Sequence, residues 1–131
     1  MPVHSANQRI VEIRTYRLHP GSGPRFHRLL ADFSVPLHHA AGIDVVCHAA
    51  SVEDADRHVL VRAFDSLDQM RATLAAFYAS PAWRVGPREE ILALIAADMA
   101  LALSMDAEAI AGLRRASGAA DSRQSTPTGK P

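Results

Sequence analysis

The sequence predicts an α+β domain in the ferredoxin-like order strand–helix–strand–strand–helix–strand, and three observations carry that prediction. An alternating stretch, R-I-V-E-I-R-T-Y-R-L, opens the chain's ordered part at Arg9–Leu18. Two β-branched runs lie close together around residues 43–64, joined only by the acidic E-D-A-D of Glu53–Asp56. Stretches with apolar residues at helical spacing follow the first and third of these extended segments.

In the first strand Val11, Ile13 and Thr15 share one face, and Ile10, Glu12, Arg14, Tyr16 and Leu18 share the other. The first face is small and β-branched and suits packing beneath helices. The second sets a carboxylate, a guanidinium and a phenol in one row, as expected of a face turned to water, a partner sheet or a ligand; simple cross-strand ion pairing is the plainer alternative. His19-Pro20-Gly21-Ser22-Gly23 then ends the strand, since proline lacks an N–H and glycine admits positive φ. From Pro24 to Ala41 the residues Phe26, Leu29, Leu30, Phe33, Leu37 and Ala40 form an amphipathic helical stripe, with Pro36 kinking it and Gly42 ending it.

Ile43–Ser51 reads as the second strand, with Ile43, Val45 and Cys47 opposite Asp44, Val46 and His48, and Arg57–Phe64 reads as its antiparallel partner. Ser66 and Gln69 fit a capping box for a helix from Leu67, whose apolar stripe is Leu67, Met70, Leu74, Phe77 and Tyr78. Pro81 starts a further helical segment, Ala82–Ala97, which Gly86-Pro87 splits. Met99, Leu101 and Leu103 alternate with small residues, predicting a fourth strand over Asp98–Met105; one long helix from Arg88 to Ala116 is the rival. Asp106 caps a short last helix, Ala107–Arg115. The chain thus divides into a flexible leader (1–8), one domain (9–116) and a Ser-, Thr-, Gly- and Pro-rich tail (117–131) expected to be disordered.

The 131 residues suit a single domain, and 14 Lys+Arg balance 14 Asp+Glu, so no positive field favours nucleic acid or anionic lipid. One cysteine, Cys47, rules out an intrachain disulfide, and no apolar run approaches a membrane span. A cytoplasmic protein is expected.

The segments V-E-I-R-T-Y-R-L-H-P-G, V-L-V-R-A-F-D-S-L-D-Q-M-R and S-P-A-W followed by an apolar helix resemble the NIPSNAP family of the dimeric α+β barrel superfamily, from about Arg9 to Arg115. The chain departs from that pattern in its acidic E-D-A-D hairpin and in the Gly86-Pro87 break after Trp83. The resemblance implies a four-stranded antiparallel sheet with helices on one face, joined sheet-to-sheet with a second copy into a barrel. A homodimer also follows from assigning Ile10, Tyr16, Leu18, Leu60 and Phe64 to the bare face, since so much apolar surface needs cover.

No P-loop, G-x-G-x-x-G, H-E-x-x-H, C-x-x-C or G-x-S-x-G occurs, and no cofactor is expected. His38 and His39 diverge by ~100° around a helix and do not readily share a metal. His48 and His58, with Glu12, form a weak metal set that is set aside, and no metal is expected. The resemblance implies a space between sheet and helices of the kind superfamily members use for cofactorless oxidation, isomerisation or haem binding. Such chemistry needs a base and a cation, so the catalytic candidates are His39, Tyr16, Arg14 and Arg62, with Trp83 and His48 contacting substrate. Two readings stay open: an acid–base enzyme acting on an aromatic or carbonyl compound, with His39 turned to the sheet beyond the Pro36 kink, or a non-catalytic binding dimer.

Overall fold

The computed structural model describes residues 7–125, and side-chain surroundings as far as residue 117. Four strands form one antiparallel sheet in the order β2-β3-β1-β4: β1 Gln8–Leu18, β2 Asp44–Ala50, β3 Arg57–Phe64 and β4 Ile95–Asp106. This is the expected four-stranded α+β arrangement. The fourth strand is real, pairing with β1 along its length, and the rival long helix is absent. Leader residues 1–6 and tail residues 126–131 lie outside the described part, whereas Gln8 already belongs to β1.

Helices α1 (Gly23–Leu29) and α2 (Val35–Ala40) are joined by a π-helical turn over Leu30–Ser34, so the stretch is continuous rather than broken. Within this turn the Val35 N–H reaches back to the Leu30 carbonyl. Pro36, with no N–H to offer, lies in the first turn of α2, directly after the π-helical turn. Gly42 closes the helix with φ +78°. The start of α1 is tied to the loop before β3: Asp56 accepts hydrogen bonds from the Gly21 and Gly23 N–H groups at 2.9 and 2.8 Å. A Cβ on Gly23 would lie 1.9 Å from the Ala55 carbonyl oxygen, so only glycine permits this approach.

Helices α3 (Leu67–Ala79), α4 (Pro81–Val85) and α5 (Arg88–Leu94) complete the layer. Ser66 caps α3 by accepting from the Gln69 N–H at 3.0 Å, while the Gln69 side chain accepts from Asp65 rather than from Ser66 itself. The predicted break at Gly86-Pro87 separates α4 from α5, which stops at Leu94, three residues short of expectation, because β4 begins at Ile95. Helix α6 (Ala107–Ser125) overruns its expected end at Arg115, and with it the start of the expected disordered tail.

The assignment of sheet faces is reversed from the sequence reading. Leu18, Leu60 and Phe64 are buried beneath the helices, in one core with Phe26, Leu29, Leu30, Leu74, Phe77, Trp83 and Ile91, and Tyr16 packs against it. Bulk decides this: the helical stripes present large side chains with gaps that Leu and Phe fill, whereas small β-branched residues would leave voids. Val11 lies on the other face with Val61 and Ala63, where Ile110 of α6 covers one end of the sheet. Beyond α6 that face is open. Register places Leu103, Leu101 and Met99 opposite Val11, Ile13 and Thr15, and the three β4 residues are 41, 52 and 72 % exposed.

Alternation in β2 also fails at one point. The pairing slips between Val45 and Cys47, leaving Val46 as a bulge. Val45 therefore sits opposite Arg62 on the helix side while Cys47 sits opposite Val61 on the open side, contrary to the shared face expected for them.

Candidate functional site

Beneath the helices the sheet carries a closed polar network in an apolar layer. Arg62 on β3 is fully buried and directs Nε and Nη2 to Glu12 Oε1 on β1 at 2.9 and 2.6 Å. Its Nη1 donates to Tyr78 Oη on α3 at 2.7 Å and to His38 Nε2 on α2 at 3.0 Å. Glu12 Oε2 accepts from Arg14 Nη2 at 3.0 Å. Glu12 and Arg62 are directly opposed in register, so the row of charges is a cross-strand pair brought under cover. Burial works against the Arg62 charge, but Tyr78 and Glu12 outweigh it and hold the guanidinium above its ordinary pKa.

His38 completes the network. Its Nδ1–H donates to the Ser34 carbonyl at 2.7 Å, which leaves Nε2 as the acceptor that meets Arg62. Burial first, with Arg62 and His39 adding to it against Ser34 and Glu12, lowers its pKa to about 4. His39, expected to turn to the sheet, is exposed on the outside of the helix. The π turn explains the exchange. In an unbroken α-helix Leu37 would lie within ~20° of Phe26, as the periodicity supposed. One extra residue in the turn moves that place to His38, giving the buried series Phe26, Leu30, Ser34, His38 and turning Phe33 outward to 54 % exposure.

Above the network lies a pocket of about 570 Å³ between β1, β4 and the helices, lined by Arg14, Tyr16, His38, Tyr78, Trp83 and Arg88 among others. Trp83 forms an aromatic wall with Tyr78, ring centroids 5.6 Å apart. Burial, then Tyr78, raises the Tyr16 phenol pKa, so it is a hydrogen-bond donor at neutral pH. Arg14 also pairs with Asp98, and its Nε is buried with no hydrogen-bond partner among the described residues. Four of the expected site residues thus converge here: Arg14, Tyr16 and Trp83 line the pocket and Arg62 lies beneath it. His39 and His48 do not join them.

His48 instead belongs to a second cluster with His27 and His58, the ring nitrogens of the three lying within 4.8 Å of one another. Glu12, bound by Arg62 and Arg14, is not part of it, which corrects the metal set considered from sequence. His27 was missed because it lies off the apolar stripe, and nothing local marks it. Tyr78 and His38 were missed as site residues for opposite reasons: Tyr78 read as one more apolar position of α3, and His38 was displaced by the uncounted helical residue.

No sequence-family model matches the chain, and no curated protein matches it. Among solved structures, a NIPSNAP family protein of unknown function from Agrobacterium tumefaciens superposes with a TM-score of 0.70 at 25 % identity, covering 79 % of this chain and 93 % of the other. The chain has the NIPSNAP fold. An uncharacterised NIPSNAP domain protein from Burkholderia xenovorans gives a TM-score of 0.65 at 20 % identity, over 72 % of this chain and 91 % of its own. A putative antibiotic biosynthesis monooxygenase from Nitrosomonas europaea shares the fold more distantly, with a TM-score of 0.57 at 16 % identity over 72 % of this chain and 95 % of its own. The NIPSNAP resemblance read from Val11–Gly21 and Ser80–Trp83 is borne out by these structural neighbours. No described helix is long and apolar enough to cross a membrane.

Replacing Arg62 by Met should destabilise the fold by ~3–5 kcal/mol, because Glu12 and the Tyr78 hydroxyl lose their buried partner. Urea denaturation of the two proteins measures this, and a change under ~1 kcal/mol would mean that the network is solvated. Acidification tests His38. Its folded pKa of about 4 lies below the ordinary 6.5, so its contribution is complete above pH 6.5 and is lost as pH falls towards 4, when the unfolded chain takes the proton first. The expected slope from this group is at most ~1.4 kcal/mol per pH unit. Denaturation midpoints between pH 7.5 and 4.5 should fall less steeply in His38→Gln than in the parent.

Proposed function

We propose that the chain is a homodimeric binding protein whose pocket between sheet and helices takes a small aromatic or carbonyl compound carrying an anionic oxygen. The observation that carries the reading is Arg14, a guanidinium on the pocket wall beside the Tyr16 phenol. A cationic side chain and a protonated phenol on one wall suit a ligand oxygen that carries negative charge. The Tyr16 phenol, held protonated, supplies a second donor, and Trp83 and Tyr78 supply flat walls suited to an aromatic or conjugated body. Binding is favoured over acid–base catalysis by one fact about the pocket's histidine. The His38 lone pair is occupied by Arg62 and its pKa lies well below neutrality, so it is a poor proton acceptor at physiological pH.

The dimer reading rests on the open sheet face rather than on the residues first assigned to it. Ile13, Val59, Leu101, Leu103 and Met99 form a continuous apolar surface with only Thr15 as a polar interruption. It runs to β4, a twelve-residue edge strand exposed along most of its length. A long apolar edge of this kind invites association unless it is covered, and a second copy brings a face of the same shape and chemistry.

Sedimentation at micromolar concentration should show one species of twice the chain mass, and Leu101→Glu should shift it to monomer. A folded monomer from the unaltered chain would defeat the dimer. For the pocket, the sole tryptophan, Trp83, is an internal reporter. Titration with benzoate, salicylate and an enolisable diketone should give saturable fluorescence changes for at least one compound. Arg14→Met and Tyr16→Phe should each weaken that binding by about 10-fold or more, as befits loss of a charged or buried hydrogen bond. Binding insensitive to both substitutions, or no binding across the set, would remove the proposal.

A further inference from the structure

The histidine cluster between α1 and the β2–β3 hairpin has a construction of its own. His48 and His58 sit on adjacent antiparallel strands as a diagonal pair: register sets His48 opposite Leu60 and Ala50 opposite His58. His27 comes down on them from α1, with ring centroids 4.9 Å from His48 and 5.5 Å from His58. The fold holds α1 in that position firmly, through the Asp56 hydrogen bonds to Gly21 and Gly23 and the close seating of Gly23 on the Ala55 carbonyl.

The distances have a chemical meaning. His48 Nδ1 and His58 Nε2 are 3.1 Å apart. Two imidazole nitrogens bound to one tetrahedral ion at ~2.0–2.1 Å are separated by ~3.3 Å, the edge of that tetrahedron. The His27 nitrogen lies within 4.8 Å of the other two, and His27 borders an open cleft. His58 is 3 % exposed and presents Nε2 to His48, so the buried ring reaches the cluster through the nitrogen that would bind a ligand.

We propose that His27, His48 and His58 form a divalent transition-metal site, with zinc the best-fitting ion. Three neutral imidazoles suit zinc, copper or nickel rather than calcium or magnesium, and the absence of a thiolate or carboxylate from the set leaves the ion its full charge. The fourth coordination position faces the cleft of about 760 Å³ that His27 and His48 line together with Arg28, Ser51 and Ala116. Three protein ligands and one open position is the arrangement of an ion that also takes water or a small anion, and Arg28 beside it favours the anion. The site shares no residue with the Arg14–Tyr16 pocket, although register sets His58 opposite Tyr16.

The test uses the full chain, stripped with chelator and titrated with Zn²⁺ calorimetrically and with Co²⁺ spectroscopically. Saturable binding of one ion per chain is expected, with the visible bands of four-coordinate cobalt, and with a thermal midpoint that rises with zinc. His27→Gln and His48→Gln, the two partly exposed ligands whose replacement spares the core, should each weaken binding by at least 10-fold while leaving the circular dichroism spectrum unchanged. His39→Gln, exposed and elsewhere, should leave it intact. Absence of saturable binding, or binding and a midpoint shift that persist in the His27→Gln/His48→Gln double variant, would overturn the proposal.

Discussion

A carboxylate and a guanidinium placed under a helical layer cannot be left half-satisfied, and most of this structure is arranged around completing the Glu12–Arg62 pair. The two residues fix the register of β1 against β3. Their remaining hydrogen-bonding capacity reaches α2 through His38, α3 through Tyr78 and the pocket through Arg14. Removing both charges for apolar groups of equal volume could leave the chain as stable, since buried pairs often only recover their own desolvation. What the pair gives is specificity: helices that slid by one residue along the sheet would leave a buried donor or acceptor without a partner.

The elements were legible in the sequence because each carried its own local signal. Period-two alternation marked β1 and β3, Ser66 with Gln69 marked the start of α3, and Pro81 and Gly86-Pro87 marked the ends of α4. The side of the sheet each strand presents was not legible, because alternation separates two faces without saying which one meets the helices. Judging by polarity misled here. The row with Glu12, Arg14 and Tyr16 looks like the wet side, yet Leu18, Leu60 and Phe64 carry it under the helices, and the charges follow because Arg62 stands opposite Glu12.

The candidate sites were readable in proportion to how far they rest on single strands. Arg14, Tyr16 and Arg62 were found because strand geometry alone groups them. The histidine cluster could be only half seen: His48 and His58 are close in the hairpin, but His27 arrives by the docking of α1, a tertiary event with no local mark. Two one-residue irregularities lie behind the remaining errors. Val46 bulges from β2 and separates Val45 from Cys47, and the turn at Leu30–Ser34 inserts a residue into the helix.

That helical insertion reaches beyond this chain. A relative built on the same fold but with an unbroken helix would carry its inward polar group one position earlier, at the place Leu37 holds here. Superposing two such proteins in space and aligning their sequences without a gap would then give different answers about which residues correspond. Comparison of site residues along this helix must therefore be made from coordinates, or with a single-residue gap placed between Leu30 and Ser34. Alignment by sequence alone would match His38 to the wrong neighbour.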